Sequence, residues 1–239
     1  MKNRLLAKTG AVLDALCAAP GPMTVRELAG QLGLPTPTVS RLCGDLAEMG
    51  WLEKTDYHHY APGLTLIRFG FHAERLSPFV ARAFPQIEAF SLETGLNGLL
   101  SGYDGKRFFR ICGCAQKSSD RNILRRSGAF LALLFVFGLS RDEARAEVRK
   151  FYSDLSEVER NTLDREFDAL AARKPLLRIG TMRQWYVTVP FSHDDCACAL
   201  TFYGRGTEEQ QVERICDEVI QLAARIRNIQ TGPAARRSE

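Results

Sequence analysis

The sequence predicts an α+β protein with two domains. At 239 residues the chain is long enough for two modest hydrophobic cores. Short amphipathic helices and a hairpin occupy the N-terminal quarter, and strands mixed with helices follow, which favours a mainly antiparallel sheet backed by helices. We predict a winged helix-turn-helix at 1–62, a linker helix at 63–76, an α+β domain at 77–229 and a disordered tail at 230–239.

The first two helices are set by their end signals. The first is predicted from Leu5 to Ala18, before the sequence Ala-Pro-Gly-Pro. Its apolar face is expected to comprise Leu6, Leu13, Leu16 and Cys17. The second opens at Thr24, because Thr24 and Glu27 have the spacing of a capping box. It is short, because Gly33 is suited to a left-handed C-terminal cap.

The third helix is the expected recognition helix. Thr36 is predicted as its N-cap, with Pro37 at the first helical position and Gly50 at its end. Its buried stripe is expected to be Val39, Leu42, Leu46 and Met49. A helix, a turn with glycine and a second helix form a helix-turn-helix, whose second helix enters the major groove of DNA.

Residues on the exposed side of this motif are expected to contact DNA. Hydroxyl groups can bond phosphates or base edges, and an arginine can bind guanine through two hydrogen bonds. The predicted contacts are Thr24, Arg26, Thr36, Pro37, Thr38, Ser40 and Arg41.

A wing is predicted next, with strands at Trp51–Lys54 and Tyr57–Tyr60. Lys54, His58 and His59 are expected along the phosphate backbone. Adjacent residues on a strand point to opposite faces, so the two histidines are not expected to share a metal ion. The wing therefore completes a DNA-binding surface rather than a metal site.

Two helices and then a mixed domain follow the wing. Leu64–Leu76 is predicted to join the domains, and Pro78–Thr94 to be a longer helix, interrupted by Pro85 and capped by Gly95. The apolar seam of the joining helix serves either a dimer contact or packing on its own domain. That seam is Leu66, Phe69, Ala73 and Leu76.

The elements of the mixed domain follow from turn, cap and hydrophobic signals. Asp104-Gly105 indicates a hairpin, and Ser127–Leu139 a buried helix too short to span a membrane. Capping boxes at Ser140, Ser156 and Thr207 open three helices, the last with an apolar stripe. The predicted strands are Asn97–Gly102, Arg107–Cys114, Trp185–Phe191 and Cys196–Tyr203.

The N-terminal pattern resembles one known family. The stretch TVRELAGQLGLPTPTVSRLCGDLAEMGWLEK, followed by YAPGLTLIRFG, is similar to the DNA-binding domain and linker helix of the IclR family of bacterial transcriptional regulators. Residues 81–95 resemble the helix that opens the family's effector domain. The resemblance implies a GAF-like domain that binds a small molecule, a homodimer or dimer of dimers, and repression or activation of a nearby metabolic operon. Of the two, repression is the expected sign.

The expected effector pocket is where the sequence departs most from the family pattern. Ile123–Leu133 and Arg183–Pro190 differ from the segments of relatives, so the family's small-acid pocket does not transfer residue by residue. Arginine can bind a carboxylate through two hydrogen bonds, but both candidate arginines also suit a basic surface. Bulky Phe130, Trp185 and Tyr186 can also fill the pocket. The expected effector-facing residues are Arg125, Arg126, Ser127 and Tyr186.

Cysteine spacing supports a second hypothesis about sensing. Cys112 and Cys114 lie two residues apart on one predicted strand, and Cys196 and Cys198 on another. If the strands meet, four thiolates can bind zinc or form a redox switch. The spacing is unfavourable for zinc, and packing in the core is the favoured interpretation. Seven scattered cysteines are typical of a reducing cytosol.

These features predict a cytoplasmic regulator, on the nucleoid when bound to a double-stranded DNA operator, that responds to an unidentified small molecule. Residues 1–75 carry eight Lys or Arg and seven Asp or Glu, so this prediction depends on pattern rather than charge. No cofactor, catalytic residue, metal or membrane segment is expected. The alternatives are a cysteine redox or metal switch on the same scaffold, and a winged helix that binds protein.

Overall fold

The computed structural model describes residues 4–114, 120–152, 157–179, 184–194, 196–206 and 209–229. The chain divides into two compact units between Arg75 and Leu76. The predicted α+β class is confirmed, with a helix-turn-helix in the first unit and an antiparallel sheet in the second.

The N-terminal unit is a winged helix-turn-helix. A three-stranded antiparallel sheet has the order β1-β3-β2 and supports the helices. The helices share a core made mainly of Val12, Leu16, Leu28, Val39 and Leu46. The elements are α1 (Arg4–Ala18), β1 (Met23–Thr24), α2 (Val25–Leu32), α3 (Thr36–Glu48), β2 (Leu52–Lys54), β3 (His59–Pro62) and α4 (Leu64–Leu76).

The buried face of α1 differs from the predicted one. Val12, Ala15 and Leu16 are buried, whereas Leu6 is 67% exposed and Cys17 is exposed. The buried residues are spaced i, i+3 and i+4, which is one helical face. The prediction was wrong for Leu6 and Cys17, because α1 has apolar residues on several sides and tertiary packing buries only one of these sides.

The caps of α2 and α3 control where the recognition helix begins. The capping box is confirmed: Thr24 Oγ1 accepts from the Glu27 N–H at 3.1 Å, and Glu27 Oε2 accepts from the Thr24 N–H at 2.7 Å. Gly33 has φ 62° and caps α2. Thr36 was expected to cap α3, but Pro35 holds that position and Thr36 lies in the first turn.

The ends of α3 and of the wing also differ from prediction. Met49 is 54% exposed rather than buried, because it follows the last helical residue, while the rest of the predicted stripe is buried. The second wing strand begins at His59, not Tyr57, because the Asp56 carboxylate accepts from the N–H groups of His58 and His59 and holds them in a turn. Thr55–His58 therefore form the wing tip.

The C-terminal unit is built on a five-stranded sheet of order β5-β4-β8-β7-β6, antiparallel throughout. The edge strand β6 was not predicted, because its four residues include a charge and lack a turn signal. The strands are β4 (Asn97–Tyr103), β5 (Phe108–Gly113), β6 (Leu176–Ile179), β7 (Gln184–His193) and β8 (Cys196–Arg205).

Helices cover both faces of this sheet. On one face α5 (Pro78–Thr94) and α10 (Glu209–Arg227) form a core with Leu100, Val187 and Phe202. The apolar stripe predicted for α10 is buried along its whole length: Val212, Ile215, Val219, Leu222 and Ile226. On the other face lie α6 (Asp120–Ser127), α7 (Ala129–Val136), α8 (Arg141–Phe151) and α9 (Glu157–Ala171).

The single helix predicted at Ser127–Leu139 is wrong at its start. Ser127 ends α6, and Gly128, at φ 74°, separates it from α7. A Cβ on Gly128 would lie 3.0 Å from Arg178 Nε and from Leu176 Cδ1, so the break lets the chain approach β6 closely.

The other predicted turns and helix caps are confirmed where they fall on described residues. The Asp104-Gly105 turn joins β4 and β5, and Ser140 forms a capping box with Glu143. Ser156, Thr207 and the tail at 230–239 lie outside the described residues.

Candidate functional site

The N-terminal half of α3 presents a polar surface. Thr36, Pro37, Ser40 and Arg41 are exposed, and Thr38 is half-buried. Val39 and Leu42 on the opposite side are buried in the core, which fixes which side of α3 faces outward. Amide groups of the first helical turn lack partners within the helix, so this end also attracts phosphate oxygens.

Residues of α2 make unequal contributions to this surface. Arg26, in the first turn of α2, is exposed. The Thr24 hydroxyl is already engaged, because it accepts from the Glu27 amide and donates to Glu27 Oε2 at 2.8 Å. Glu27 has a lowered pKa, chiefly because the Thr24 amide hydrogen bond stabilises its carboxylate. The side chain of Thr24 therefore serves the cap.

The wing carries basic side chains at its tip and on the strand ends beside it. His59 Nδ1 lies 2.8 Å from Asp56 Oδ1, and Lys54 Nζ lies 5.0 Å from the centre of the Tyr57 ring. Hydrogen bonds, first of all from the His58 amide, lower the pKa of Asp56 to about 2. His58 is exposed. The tip therefore combines basic side chains with one ionised carboxylate.

Buried hydroxyl groups lie between the sheet and the α6–α7 break. Thr188 Oγ1 donates to the Ser127 carbonyl at 3.0 Å and lies 3.0 Å from Thr201 Oγ1. Ser127 Oγ accepts from the Ala129 amide at 3.2 Å. Ser101, Ser127, Thr188 and Thr201 are at most 1% exposed. Thr188 and Thr201 could have been found from the sequence, because alternate residues of a strand share one face of the sheet.

The predicted effector residues do not converge on one point. Arg125 has its guanidinium over the Tyr152 ring, 5.2 Å from its centre, whereas Arg126 is exposed. Tyr186 is buried in a small cluster with Leu99, Ile123 and Tyr203. Only Ser127 contacts the buried hydroxyl groups directly.

A buried ion pair lies next to these residues and was missed from the sequence. The Arg178 guanidinium donates to both carboxylate oxygens of Glu166, and its Nη1 donates to the Arg125 carbonyl. The side chains of Arg178 and Glu166 are 21% and 10% exposed. The charged pair ties α9 and the end of α6 to the edge strand β6.

The four cysteines do not form one cluster. Strand β4 lies between β5, with Cys112, and β8, with Cys196 and Cys198. In the part of the chain that the structure describes, no three His, Cys, Asp or Glu side chains are placed to hold a metal ion. The four-thiolate hypothesis is therefore wrong for these strands.

Among the described helices, none combines the length and the hydrophobicity that crossing a bilayer requires.

Comparison with known proteins identifies the N-terminal unit. Residues 5–56 match the sequence model of the IclR helix-turn-helix domain. A search of curated proteins gives no match.

Solved structures share the fold of the whole chain. An IclR family transcriptional regulator from Brucella abortus is 19% identical, with 94% of this chain and 91% of that chain covered and a TM-score of 0.71. An IclR transcriptional regulator from Alicyclobacillus acidocaldarius is 17% identical, with coverages of 95% and 98% and a TM-score of 0.68. An IclR homolog from Microbacterium hydrocarbonoxydans, complexed with 4-hydroxybenzoate, is 16% identical, with coverages of 93% and 99% and a TM-score of 0.56. The resemblance stated from the sequence is confirmed in the DNA-binding domain and in the fold.

Proposed function

We propose that this chain, which has the helix-turn-helix domain of the IclR family and the fold of IclR regulators, is a sequence-specific DNA-binding transcriptional regulator, expected to be a repressor. It acts by binding rather than by catalysis. The observation that carries the proposal is the exposed, polar N-terminal half of α3 above a buried apolar side. A helix of this kind can enter the major groove while its core residues stay packed.

The role of each DNA-binding residue follows from its place. Arg41, exposed on α3, is assigned to a base edge. Thr36, Thr38 and Ser40 are assigned to phosphates or bases near the helix start. Arg26, Lys54, His58 and His59 supply phosphate contacts from α2 and the wing. Pro37 shapes the first turn, and Thr24 acts through its cap.

We further propose a homodimer that pairs through α4, with a dimer of dimers as a second assembly. Leu64, Ile67 and Phe71 are 77%, 66% and 55% exposed and lie on one helical face. Phe69 points elsewhere, because it packs edge-on against Trp51 of its own unit. Large apolar side chains exposed together mark an interaction surface, so a second copy is the expected cover.

The effector is proposed to bind beside the buried hydroxyl groups of the C-terminal unit, which would serve as the GAF-like sensor domain. Support comes from Ser127, Thr188 and Thr201, which are buried polar groups on one face of the sheet. The Microbacterium homolog is complexed with 4-hydroxybenzoate, so small aromatic acids are the first ligands to test. Arg125 is the candidate partner for a carboxylate, and the exposed Arg126 is the weaker one.

The proposed mechanism is thermodynamic linkage between ligand and DNA. A ligand that prefers one dimer arrangement alters the spacing of two recognition helices and thereby operator affinity. A regulator of this kind works in the cytoplasm, where the DNA is.

Selection from a random pool of double-stranded DNA at physiological salt tests the function. Enrichment of a palindrome with half-sites one or more helical turns apart is expected. Arg41→Ala should then weaken binding to the selected site by about 1–3 kcal/mol. Arg149→Ala, which replaces an exposed arginine of α8, should leave this binding unchanged.

A winged helix that binds protein instead of DNA would give neither the enriched palindrome nor the loss of affinity on Arg41→Ala. Repeating the selection with small aromatic acids present distinguishes a requirement for ligand from a lack of DNA binding.

A further inference from the structure

One line of residues runs along the side of α3 that faces away from the core. Val39, Leu42 and Leu46 are at most 3% exposed and mark the buried side. With 3.6 residues per turn, the opposite side of the helix can be read from the sequence. It consists of Pro37, Arg41, Gly44 and Glu48, which we call the outward line of α3. Gly44 therefore lies between two exposed charged residues.

Gly44 occupies an interior position of α3, where glycine is unfavourable. The helix runs from Thr36 to Glu48, so Gly44 is a full turn from its last residue. Gly44 is not among the glycines with positive φ, so its backbone conformation is open to any residue. Apart from proline, glycine stabilises a helix interior least. Another residue at this position would therefore give a more stable helix.

Packing in the described part of the chain does not require a glycine at this position either. A Cβ added to Gly44 would meet no atom of another element within 4 Å. By contrast, a Cβ on Gly63 would lie 2.4 Å from the Gly50 carbonyl oxygen, and one on Gly98 would lie 2.7 Å from Ile87 Cγ2. The fold explains Gly63 and Gly98 and leaves Gly44 unexplained.

The place of Gly44 on α3 distinguishes it from other helical glycines. Gly10 in α1 and Gly30 in α2 are also unobstructed, so open space alone assigns no role. Gly44, however, follows Arg41 by one turn on the surface proposed to face DNA. Glycine is suited to the close approach of a backbone to a ligand, because it has no Cβ to hold the ligand away. A glycine that the fold does not need therefore stands where a close approach would be useful.

The charges on α3 indicate where its contact with DNA ends. Arg41 precedes Gly44, whereas the exposed Asp45 and Glu48 follow it. Phosphates attract the first and repel the other two. The stretch from Pro37 to Gly44 spans about 10 Å along the helix axis. This length corresponds to about three base pairs, at 3.4 Å for each.

We propose that Gly44 is the point of closest approach between α3 and the floor of the major groove. This inference rests on the proposed function and adds a contact that the backbone makes instead of a side chain. Without a side chain at position 44, α3 lies deep enough for Arg41 to reach a base edge. A side chain there would hold the helix away from the base pairs, while the wing and the start of α3 would still contact phosphates.

Binding of the full chain to two DNA duplexes tests the proposal. One duplex carries the palindrome selected by the wild type, and the other has an unrelated sequence. Affinity for the palindrome should fall about threefold in Gly44→Ala and at least about tenfold in Gly44→Leu, because base contacts are lost. Affinity for the unrelated duplex should fall by about twofold at most, because phosphate contacts remain.

The stability of the N-terminal unit should change in the opposite direction. Gly44→Ala should raise its Tm by about 2–5 °C, because alanine is the best helix former and the added carbon has room. Thermal unfolding followed by Trp51 fluorescence, in a Trp185→Phe background, measures this change. A more stable protein that binds its selected site more weakly would show that the loss of affinity is not caused by damage to the fold.

Gly10→Leu is the matched control, since Gly10 is another helical glycine with open space around it. It lies in α1, away from the residues proposed to contact DNA, and should bind both duplexes like the wild type.

Three results would overturn the inference and leave the proposed function intact, provided that Arg41→Ala still weakens binding to the palindrome. The first is wild-type affinity of Gly44→Leu for the palindrome. The second is an equal loss on both duplexes, which would place Gly44 at phosphates rather than at bases. The third is a lower Tm of Gly44→Ala, which would give Gly44 a structural role. A wild-type chain that selects no DNA sequence would overturn the inference and the proposed function together.

Discussion

At the scale of single residues, function and stability depend on charges placed in contrasting surroundings. Asp56 is exposed at the wing tip, where its carboxylate orders two histidine amides. Glu166 is buried against Arg178, where removal of either partner leaves an unpaired charge. Substitution of the first should therefore change DNA binding, and substitution of the second should change folding.

Asp56→Asn should strengthen DNA binding about two- to fivefold at low salt, because it removes a negative charge near phosphates. The asparagine Oδ1 can still accept the hydrogen bonds from His58 and His59. Binding to the selected operator at several salt concentrations would measure this. The gain should shrink as salt rises, and Glu218→Gln, far along the chain in α10, should show none. Unchanged binding by Asp56→Asn would mean that the wing tip does not approach the phosphates.

Glu166→Ala should destabilise the C-terminal unit by about 3 kcal/mol, since it leaves the Arg178 guanidinium buried without its carboxylate. Urea unfolding followed by Trp185 fluorescence, in a Trp51→Phe background, reports on this unit alone.

Glu218→Ala provides the comparison for the buried pair. Its partner Arg214 has a side chain that is 81% exposed, so less than about 0.5 kcal/mol is expected. Equal effects of the two substitutions would show that burial of the Arg178–Glu166 pair is unimportant.

At the scale of elements, helix ends determine where the functional residues lie. The Thr24–Glu27 capping box and Gly33 fix α2, and α3 then starts after Pro35. In the other unit, Gly128 stops α6 and starts α7, which places the Ser127 carbonyl at Thr188. A helix continued through Gly128 would lose this contact.

Gly128→Ala should destabilise the C-terminal unit by about 1–2 kcal/mol, because an L-residue is strained at φ 74°. The added Cβ would also meet Leu176 and Arg178 at 3.0 Å. Thermal unfolding monitored by circular dichroism gives the comparison. Gly30→Ala, in α2 with nothing within 4 Å of the added carbon, should instead be neutral or stabilising. A Gly128→Ala protein of wild-type stability would contradict the proposed need for the break.

At the scale of the whole molecule, each unit has its own core and α4 carries exposed apolar side chains. The N-terminal core and the two sides of the C-terminal sheet are separate clusters. Leu64, Ile67 and Phe71 belong to none of them. A dimer through this face would hold two recognition helices at one spacing, as a palindromic operator requires.

Ile67→Asp should weaken the dimer by at least about tenfold, because a charge would be buried at the proposed interface. Sedimentation velocity over a range of protein concentrations would measure the monomer fraction. Leu92→Asp, at an apolar residue of α5 that is 80% exposed, should leave the assembly unchanged. If Ile67→Asp left the dimer intact while Leu92→Asp dissociated it, the interface would lie on α5.

The sequence by itself determined the parts that depend on neighbours in the chain. Caps at Thr24, Gly33, Ser140 and the Asp104 turn were predicted because local hydrogen bonds and allowed φ values set them. The exposed start of α3 was predicted because the spacing of its apolar residues marks the opposite side of the helix as buried. These signals were enough for the winged helix and the antiparallel domain.

Tertiary structure decided which residues come together from distant positions. Burial of Val12 instead of Leu6, the Arg178–Glu166 pair and the edge strand β6 depend on packing between elements that no local pattern encodes. The cysteines show the same difference: spacing placed Cys196 and Cys198 on one face, but strand order separated them from Cys112 and hairpin register placed His193 opposite. Side-chain chemistry is fixed by sequence, whereas proximity is fixed by the order and register of the strands.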